Sequence, residues 1–139
     1  MPKFPSKEWC EEVITLINSD PESGRAGEGW HGDFGLVIDS EPGKLEKPFS
    51  VHVDPVGGKI KKILYLRDPD ELDEIEPAYL IRAGYSVWKG MLLGTVDPVE
   101  AVLRQKISVK GPLQPLIERL KHKGIADRIL LQLKTEFVA

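Results

Sequence analysis

The chain has 139 residues, of which 41% are hydrophobic and 29% are charged, and its formal net charge at pH 7 is −3. This length predicts one domain with its own core over residues 1–139, and the slightly acidic balance argues against a nucleic-acid partner. The single cysteine, Cys10, excludes an intramolecular disulfide, and the N-terminus has no apolar signal sequence, so the sequence predicts a cytoplasmic protein.

The N-terminal part of the chain predicts one helix followed by a linker. Ser6 has the side chain of a helix N-cap, and the apolar residues of KEWCEEVITLIN, residues 7–18, recur at helical spacing on one face. Cys10 falls beside that face, which indicates a buried, unreactive thiol. The Gly-rich polar segment 22–29 predicts a connection without regular structure.

Three predicted strands follow, at residues 30–39, 49–54 and 59–67, because apolar and polar side chains alternate along this part of the chain. The Gly57-Gly58 pair between the second and third strands predicts a hairpin turn. Alternation places the apolar side chains of the first two strands on one face of the sheet and their polar side chains on the other. One face of this sheet is therefore expected to be buried.

The next part of the chain switches between short helices and strands. The acidic segment 68–76 predicts a loop, residues 78–85 predict a fourth strand, and residues 87–94 predict a short helix. An Asp-Pro pair then begins another brief helix. Residues 106–111 alternate again and predict a fifth strand.

The last third of the chain predicts two amphipathic helices. The first covers residues 112–124 and is expected to end at Gly124, and the second continues the apolar pattern to the last residue. In chain order the elements are a helix, four strands, two short helices, a strand and two helices. This order predicts an α+β fold with helices packed on one face of the sheet.

The stretch YSVWKGMLLGTVDPVEAVLRQKISVKGPLQPLIERL, residues 85–120, carries a specific order of features. A helix with a leading aromatic and an apolar run precedes a glycine and a short Asp-Pro helix. An alternating strand that holds a lysine, a second glycine and an apolar helix follow. The residues concerned are Trp88, Met91, Leu92, Gly94, Asp97, Pro98, Lys106, Ile107, Val109, Gly111, Leu113, Leu116 and Leu120. In this order they resemble the C-terminal half of a sterol carrier protein type two (SCP-2-like) domain.

The resemblance extends over residues 6–121, since a helix followed by antiparallel strands also begins the domain of that family. It departs from the family at Arg104-Gln105, where Gln-Gly is common, and it leaves residues 124–139 as a C-terminal helical extension. It implies a five-stranded, mainly antiparallel sheet whose helix-covered face encloses an apolar tunnel for sterols, fatty acyl chains or phospholipids. The implied function is that of a non-catalytic intracellular lipid carrier without a cofactor.

Such a tunnel needs apolar residues from both the strands and the helices. The strands would supply its floor and the helices its lid. The predicted lining residues are Phe34, Leu36, Val51, Val53, Trp88, Met91, Leu92, Ile107, Val109, Leu113, Leu116, Ile117 and Leu120. The same apolar stripes would also form an ordinary solid core, and the domain would then be a protein-interaction module with a collapsed cavity.

A metal-binding domain or metal-dependent enzyme is the competing interpretation. The pairs His31/Asp33 and His52/Asp54 each place an imidazole and a carboxylate on the same face of a strand. Such ligands suit zinc or another divalent ion. Both pairs lie on the polar face of the predicted sheet, so solvated strand residues are the simpler interpretation.

A lipid is the main partner that the sequence predicts. The basic segment LKHKG, residues 120–124, would suit a transient contact with the anionic headgroups of a membrane surface. A second copy of the chain, forming a homodimer, is the other partner that the sequence leaves open.

Overall fold

A computed structural model describes residues 1–121 and 123–139 of the chain, so His122 of the basic segment lies outside the described residues. The strands of this part are β1 (Lys3–Phe4), β2 (Phe34–Asp39), β3 (Phe49–Val56), β4 (Lys59–Leu66), β5 (Tyr79–Gly84), β6 (Ser108–Lys110) and β7 (Glu136–Phe137). Its helices are α1 (Lys7–Ser19), α2 (Pro21–Ala26), α3 (Glu71–Ile75), α4 (Tyr85–Leu93), α5 (Pro98–Leu103), α6 (Leu113–Leu120) and α7 (Lys123–Gln132). None of these described helices has the length and apolar character needed to cross a membrane.

Five of the strands form one mixed sheet in the order β4-β3-β2-β5-β6. Neighbouring strands are antiparallel except β2 and β5, which run parallel. The parallel pair arises because the chain crosses the sheet between β4 and β5, and this crossing carries α3. The predicted α+β class with a five-stranded, mainly antiparallel sheet is confirmed.

The strand register puts a continuous row of apolar side chains on one face of this sheet. Leu36 on the central strand β2 lies beside Val51 of β3 and Ile81 of β5, and Ile81 lies beside Val109 of β6. Helices α1, α4, α5 and α6 pack on this apolar face through two clusters that contain side chains of both layers. The core therefore lies between the apolar face and these helices.

The opposite face of the sheet is covered in part by α3. Leu72 of α3 is only 2% exposed, and a Cβ at Gly35 of β2 would lie 2.8 Å from Leu72 Cδ2 and 3.1 Å from Leu80 Cδ1. The loop predicted over residues 68–76 is therefore wrong for the part that forms α3. Two apolar residues among acidic ones, Leu72 and Ile75, are too few to predict a helix, whereas the missing side chain of Gly35 leaves the room in which Leu72 is buried.

The linker predicted over residues 22–29 is wrong in its first half, where α2 forms. The carboxylate of Asp20 caps this helix by accepting a hydrogen bond from the N–H of Glu22 at 3.3 Å. After the end of α2, Gly27 contacts the hairpin between β3 and β4, and a Cβ there would lie 2.3 Å from Gly58 Cα. These two glycines therefore permit close packing of two backbones.

The C-terminal third of the chain differs from its prediction at two points. The helix predicted over residues 112–124 ends at Leu120, and Gly124 lies inside α7 instead of ending the preceding helix. The chain after α7 is not helical to its end, because β7 pairs in parallel with β1. Phe137 of β7 contacts the ring of Phe4 edge-on, with ring centroids 6.1 Å apart. A pairing between two distant segments leaves no local periodicity in the sequence.

Candidate functional site

Two buried clusters lie between the apolar face and the helices. Their fully buried members are Phe4, Ile38 and Tyr85 in the first cluster, and Ala83, Ala101, Val102 and Ile107 in the second. Trp88 of α4 packs against both clusters, and its Nε1–H donates a hydrogen bond to the carbonyl oxygen of Val37 at 3.0 Å. This hydrogen bond fixes the indole between the two clusters.

Aromatic rings lie at the end of the apolar face where β2 and β5 begin. The rings of Phe34 and Tyr79 stack with centroids 5.4 Å apart. Trp30 stacks on both at 5.5 Å and donates its Nε1–H to the carbonyl oxygen of Gly32 at 2.9 Å. Alternation predicted that Trp30 and Phe34 share a face, but the contact with Tyr79 depends on the parallel pairing of β2 with β5.

The thirteen predicted lining residues lie in three environments. Val51, Ile107 and Leu116 are buried, with exposed fractions of 4%, 5% and 3%. Leu113, at the start of α6, is 43% exposed. The other nine are half-buried, and they are Phe34, Leu36, Val53, Trp88, Met91, Leu92, Val109, Ile117 and Leu120.

Incomplete burial extends to the middle of the apolar face. Leu36 belongs to the central strand and has apolar neighbours on both sides, yet it is half-buried, as are Val53 and Ile81. None of the 13 residues of α1, which packs along β4, is fully buried. Leu36, Val53 and Ile81 are therefore less enclosed than the buried members of the two clusters, although Val51 beside Leu36 is buried.

No family model and no curated protein matches the sequence, whereas solved structures do match the fold. A crystal structure of sterol carrier protein 2 has a TM-score of 0.68 and 19% identity, with 91% of this chain and 93% of that chain covered. The chain has the sterol carrier protein 2 fold. A conserved hypothetical protein from Thermus thermophilus has a TM-score of 0.73 and 18% identity, with 94% of this chain and 90% of that chain covered. The sterol carrier protein domain 2 of Helicoverpa armigera has a TM-score of 0.58 and 14% identity, with 94% and 91% covered.

In this sterol carrier protein 2 fold, His52 and Asp33 lie on the sheet face opposite the apolar one. Their hydrogen bonds link β3, β2 and β5. His52 Nε2 of β3 lies 2.6 Å from Asp33 Oδ2, just before β2. Asp33 Oδ1 accepts a hydrogen bond from the N–H of Ala78, just before β5, at 2.8 Å. Burial acts to raise the pKa of Asp33, but the hydrogen bonds from Ala78 and His52 outweigh it, so the pKa of this carboxyl is lowered.

The four residues of the metal interpretation do not converge as predicted. His52 and Asp33 meet, although they come from different His-x-Asp pairs, and His31 is exposed outside β2. Among the residues that the structure describes, no group of three or more His, Cys, Asp or Glu side chains could hold a metal ion. Nδ1 of His52 is buried and has no hydrogen-bond partner within those residues. The contact between His52 and Asp33 is therefore a connection between strands.

Cys10 of α1 is a poor nucleophile. Burial, with a further contribution from the charge of Glu11, raises the pKa of its thiol to about 12. The thiolate that attacks electrophiles is therefore scarce at neutral pH. This supports the unreactive thiol predicted from the position of Cys10 beside the apolar face of its helix.

Among the clefts at the surface of the described residues, two differ in size and lining. The larger, of about 300 Å³, is lined by Glu11, Glu12, Thr15, Leu16, Gln132 and Leu133 of α1 and α7. The smaller, of about 150 Å³, is lined by Thr95, Val96, Asp97, Glu100, Ala101, Arg104 and Lys106. Neither cleft is lined by any of the thirteen predicted residues, although Ala101 of the second buried cluster lines the smaller one.

Proposed function

We propose that this protein binds a lipid with a long apolar chain between the apolar face of the sheet and the helices, and carries it through the cytoplasm without chemical change. The observation that carries the proposal is the half-burial of Leu36, Val53 and Ile81 on the apolar face of the sheet. Solid protein interiors pack as densely as organic crystals, so these central side chains would be fully enclosed in a solid core. Incomplete enclosure favours a layer that a ligand can enter.

The fold gives independent support for the binding of a lipid. The compared structures with this fold include one described as sterol carrier protein 2 and one described as a sterol carrier protein domain. The order of features along residues 85–120 supports the same class of function, because it resembles the SCP-2-like family. Fold and sequence order thus favour a lipid ligand over a partner protein docked on a collapsed layer.

The nine half-buried lining residues would contact the lipid. Trp88, held by its hydrogen bond to Val37, would form a rigid wall. Met91 has a flexible, polarizable side chain that adapts to ligands of different shape. The stack of Trp30, Phe34 and Tyr79 would close the layer at one end of the sheet. Such a site would select a lipid by the length of its apolar chain more than by its exact shape.

The hydrophobic effect can supply the affinity of a carrier. A fatty acyl chain with about 14 methylenes gains about 11 kcal/mol on full burial, at about 0.8 kcal/mol per methylene. Association costs at least about 4 kcal/mol. The difference of about 7 kcal/mol corresponds to a dissociation constant on the order of 10 μM. Affinity of this order permits both uptake and release, the latter through the predicted transient contact with a membrane surface.

Native mass spectrometry of protein purified without detergent tests the proposal. We expect a fraction of the molecules to carry the additional mass of a lipid, which solvent extraction then identifies. Titration of the delipidated protein with a fluorescent fatty acid should show saturable binding, and protein unfolded in urea is the control that should bind none. A protein that is always free of lipid and shows no saturable uptake would contradict the proposal.

A further inference from the structure

Arg119 is a half-buried cation on the inner side of α6. It follows Leu116 by three residues and directly precedes Leu120, so the three side chains share one side of the helix. Leu116 is 3% exposed, and Leu120 packs against the second buried cluster. Arg119 itself is half-buried. The helix therefore places a guanidinium beside the apolar layer where we propose that a lipid binds.

This guanidinium has few partners. Nη1 donates a hydrogen bond to the carbonyl oxygen of Ala26, at the end of α2, at 2.7 Å. Within residues 1–121 and 123–139 it makes no other hydrogen bond and pairs with no carboxylate. Since a guanidinium has five N–H donors, four of them have no acceptor in this part of the chain. Burial lowers the pKa of Arg119, as expected for a cation removed from water.

Arg128 of α7 is the contrasting case. Its Nη2 lies 2.6 Å from Asp20 Oδ2 and 3.0 Å from Glu22 Oε2, although 44% of its side chain is exposed. The carboxylates at the start of α2 are thus paired with Arg128, while the end of α2 offers Arg119 a carbonyl oxygen. Removing a cation from water without an anionic partner is unfavourable, so the environment of Arg119 is suited to an anion from outside the described chain.

We propose that Arg119 binds the anionic headgroup of the lipid, so that the site prefers acidic lipids to neutral lipids of the same chain length. This inference rests on the proposed function, because the apolar layer holds the chain while Arg119 holds the headgroup. A guanidinium and a carboxylate pair through two parallel N–H···O hydrogen bonds, and Arg119 has the donors for both. The uncharged hydroxyl of a fatty alcohol or a sterol offers one oxygen and leaves the charge uncompensated.

Calorimetric titration with palmitic acid and with the fatty alcohol of the same length tests the headgroup assignment. We expect the wild-type protein to bind the acid at least about tenfold more tightly than the alcohol, as charge-assisted hydrogen bonds imply. Arg119→Gln should remove this preference and leave the affinity for the alcohol unchanged, since the substitution leaves the apolar side chains that would hold the chain in place. Arg128→Gln is the matched control, and it should retain the preference.

The possible outcomes separate this inference from the proposed function. Equal binding of acid and alcohol by the wild type, or a preference that survives in Arg119→Gln, would overturn the role of Arg119 and leave lipid binding intact. Binding of neither ligand would overturn the proposed function itself. Acetate has the charge without the chain, and acetate that displaces palmitic acid at equal concentration would indicate a small-anion site and overturn the lipid assignment. If Arg119→Gln does not fold, Arg119→Lys, which cannot pair bidentately, should show a reduced preference.

Discussion

The side-chain amide of Asn18, at the end of α1, binds both backbone polar groups of Ile60 in the edge strand β4. Asn18 Nδ2 donates to the Ile60 carbonyl oxygen at 3.1 Å, and Oδ1 accepts from the Ile60 N–H at 2.7 Å. An edge strand carries backbone groups that no neighbouring strand can satisfy. Asn18 therefore satisfies the N–H and the carbonyl oxygen of one edge residue and holds α1 along the sheet. The hydroxyl of Tyr65 on β4 adds a hydrogen bond to Glu11 of α1 at 2.8 Å.

Replacing Asn18 by alanine should destabilise the protein. The loss of two hydrogen bonds to the edge strand is expected to lower the free energy of unfolding by about 1–3 kcal/mol, measured by urea denaturation. Ser19→Ala is the control, because the Ser19 hydroxyl donates only to the carbonyl oxygen of Thr15 within the same helix, and its effect should stay within about 0.5 kcal/mol. Equal losses in the two variants would contradict the role assigned to Asn18.

Replacing Gly27 by alanine should disturb the contact between α2 and the β3–β4 hairpin. The added Cβ would lie 2.3 Å from Gly58 Cα and 2.7 Å from its nitrogen, and backbone atoms cannot move aside as a flexible side chain can. We expect a loss of about 1–3 kcal/mol in the free energy of unfolding. Gly24→Ala is the matched control within α2, since its Cβ would meet nothing within 4 Å, and alanine favours a helix. A neutral Gly27→Ala would contradict this packing.

Replacing Asp33 by asparagine should reduce the acid sensitivity of the fold. The pKa of Asp33 is lower in the folded protein than in the unfolded chain, so its carboxylate stabilises the fold above the unfolded value of about 4, and this contribution is lost as the pH falls through the folded value. The unfolding free energies of wild type and Asp33→Asn should therefore converge below about pH 4. A constant difference between wild type and Asp33→Asn would contradict the prediction.

Replacing Met91 by tryptophan should reduce lipid uptake. The larger side chain would occupy the apolar layer from α4 and exclude part of the ligand, so we expect the affinity for a fluorescent fatty acid to fall by about tenfold, as the loss of roughly two buried methylenes implies. Leu131→Trp is the control, because Leu131 is 84% exposed on α7. Unchanged uptake by a folded Met91→Trp variant would show that Met91 does not line the site.

Local sequence patterns predicted most elements of this fold. The cap at Ser6, which accepts from the Trp9 N–H at 3.1 Å, and the cap at Asp97 both follow from residues close in the chain. Alternation correctly predicted the shared face of Leu36 and Val51. The sequence predicted a loop where α3 forms, because the burial of Leu72 on this helix depends on Gly35 of a distant strand.

The burial of the predicted lining residues followed their sequence pattern in most cases. Thirteen apolar residues were chosen from periodicity, and twelve of them are buried or half-buried while Leu113 is exposed. Periodicity assigns a side chain to a face but not to a depth, since depth depends on what packs opposite. The half-burial of Arg119 was not predicted for a related reason. A cation among helical leucines is expected to be exposed, and its contact with Ala26 joins residues 93 positions apart.

The sequence by itself determined most of the segments that become helices and strands, which side of each is apolar, and the order of features that resembles an SCP-2-like domain. Only the tertiary structure decided how β2 pairs with β5, that His52 reaches Asp33, and which inward side chains stay half-buried. The physical reason is the distance along the chain between the residues that interact. Caps, turns and periodicity depend on residues a few positions apart, whereas register, burial depth and the pairing of charges depend on segments that only the folded chain brings together.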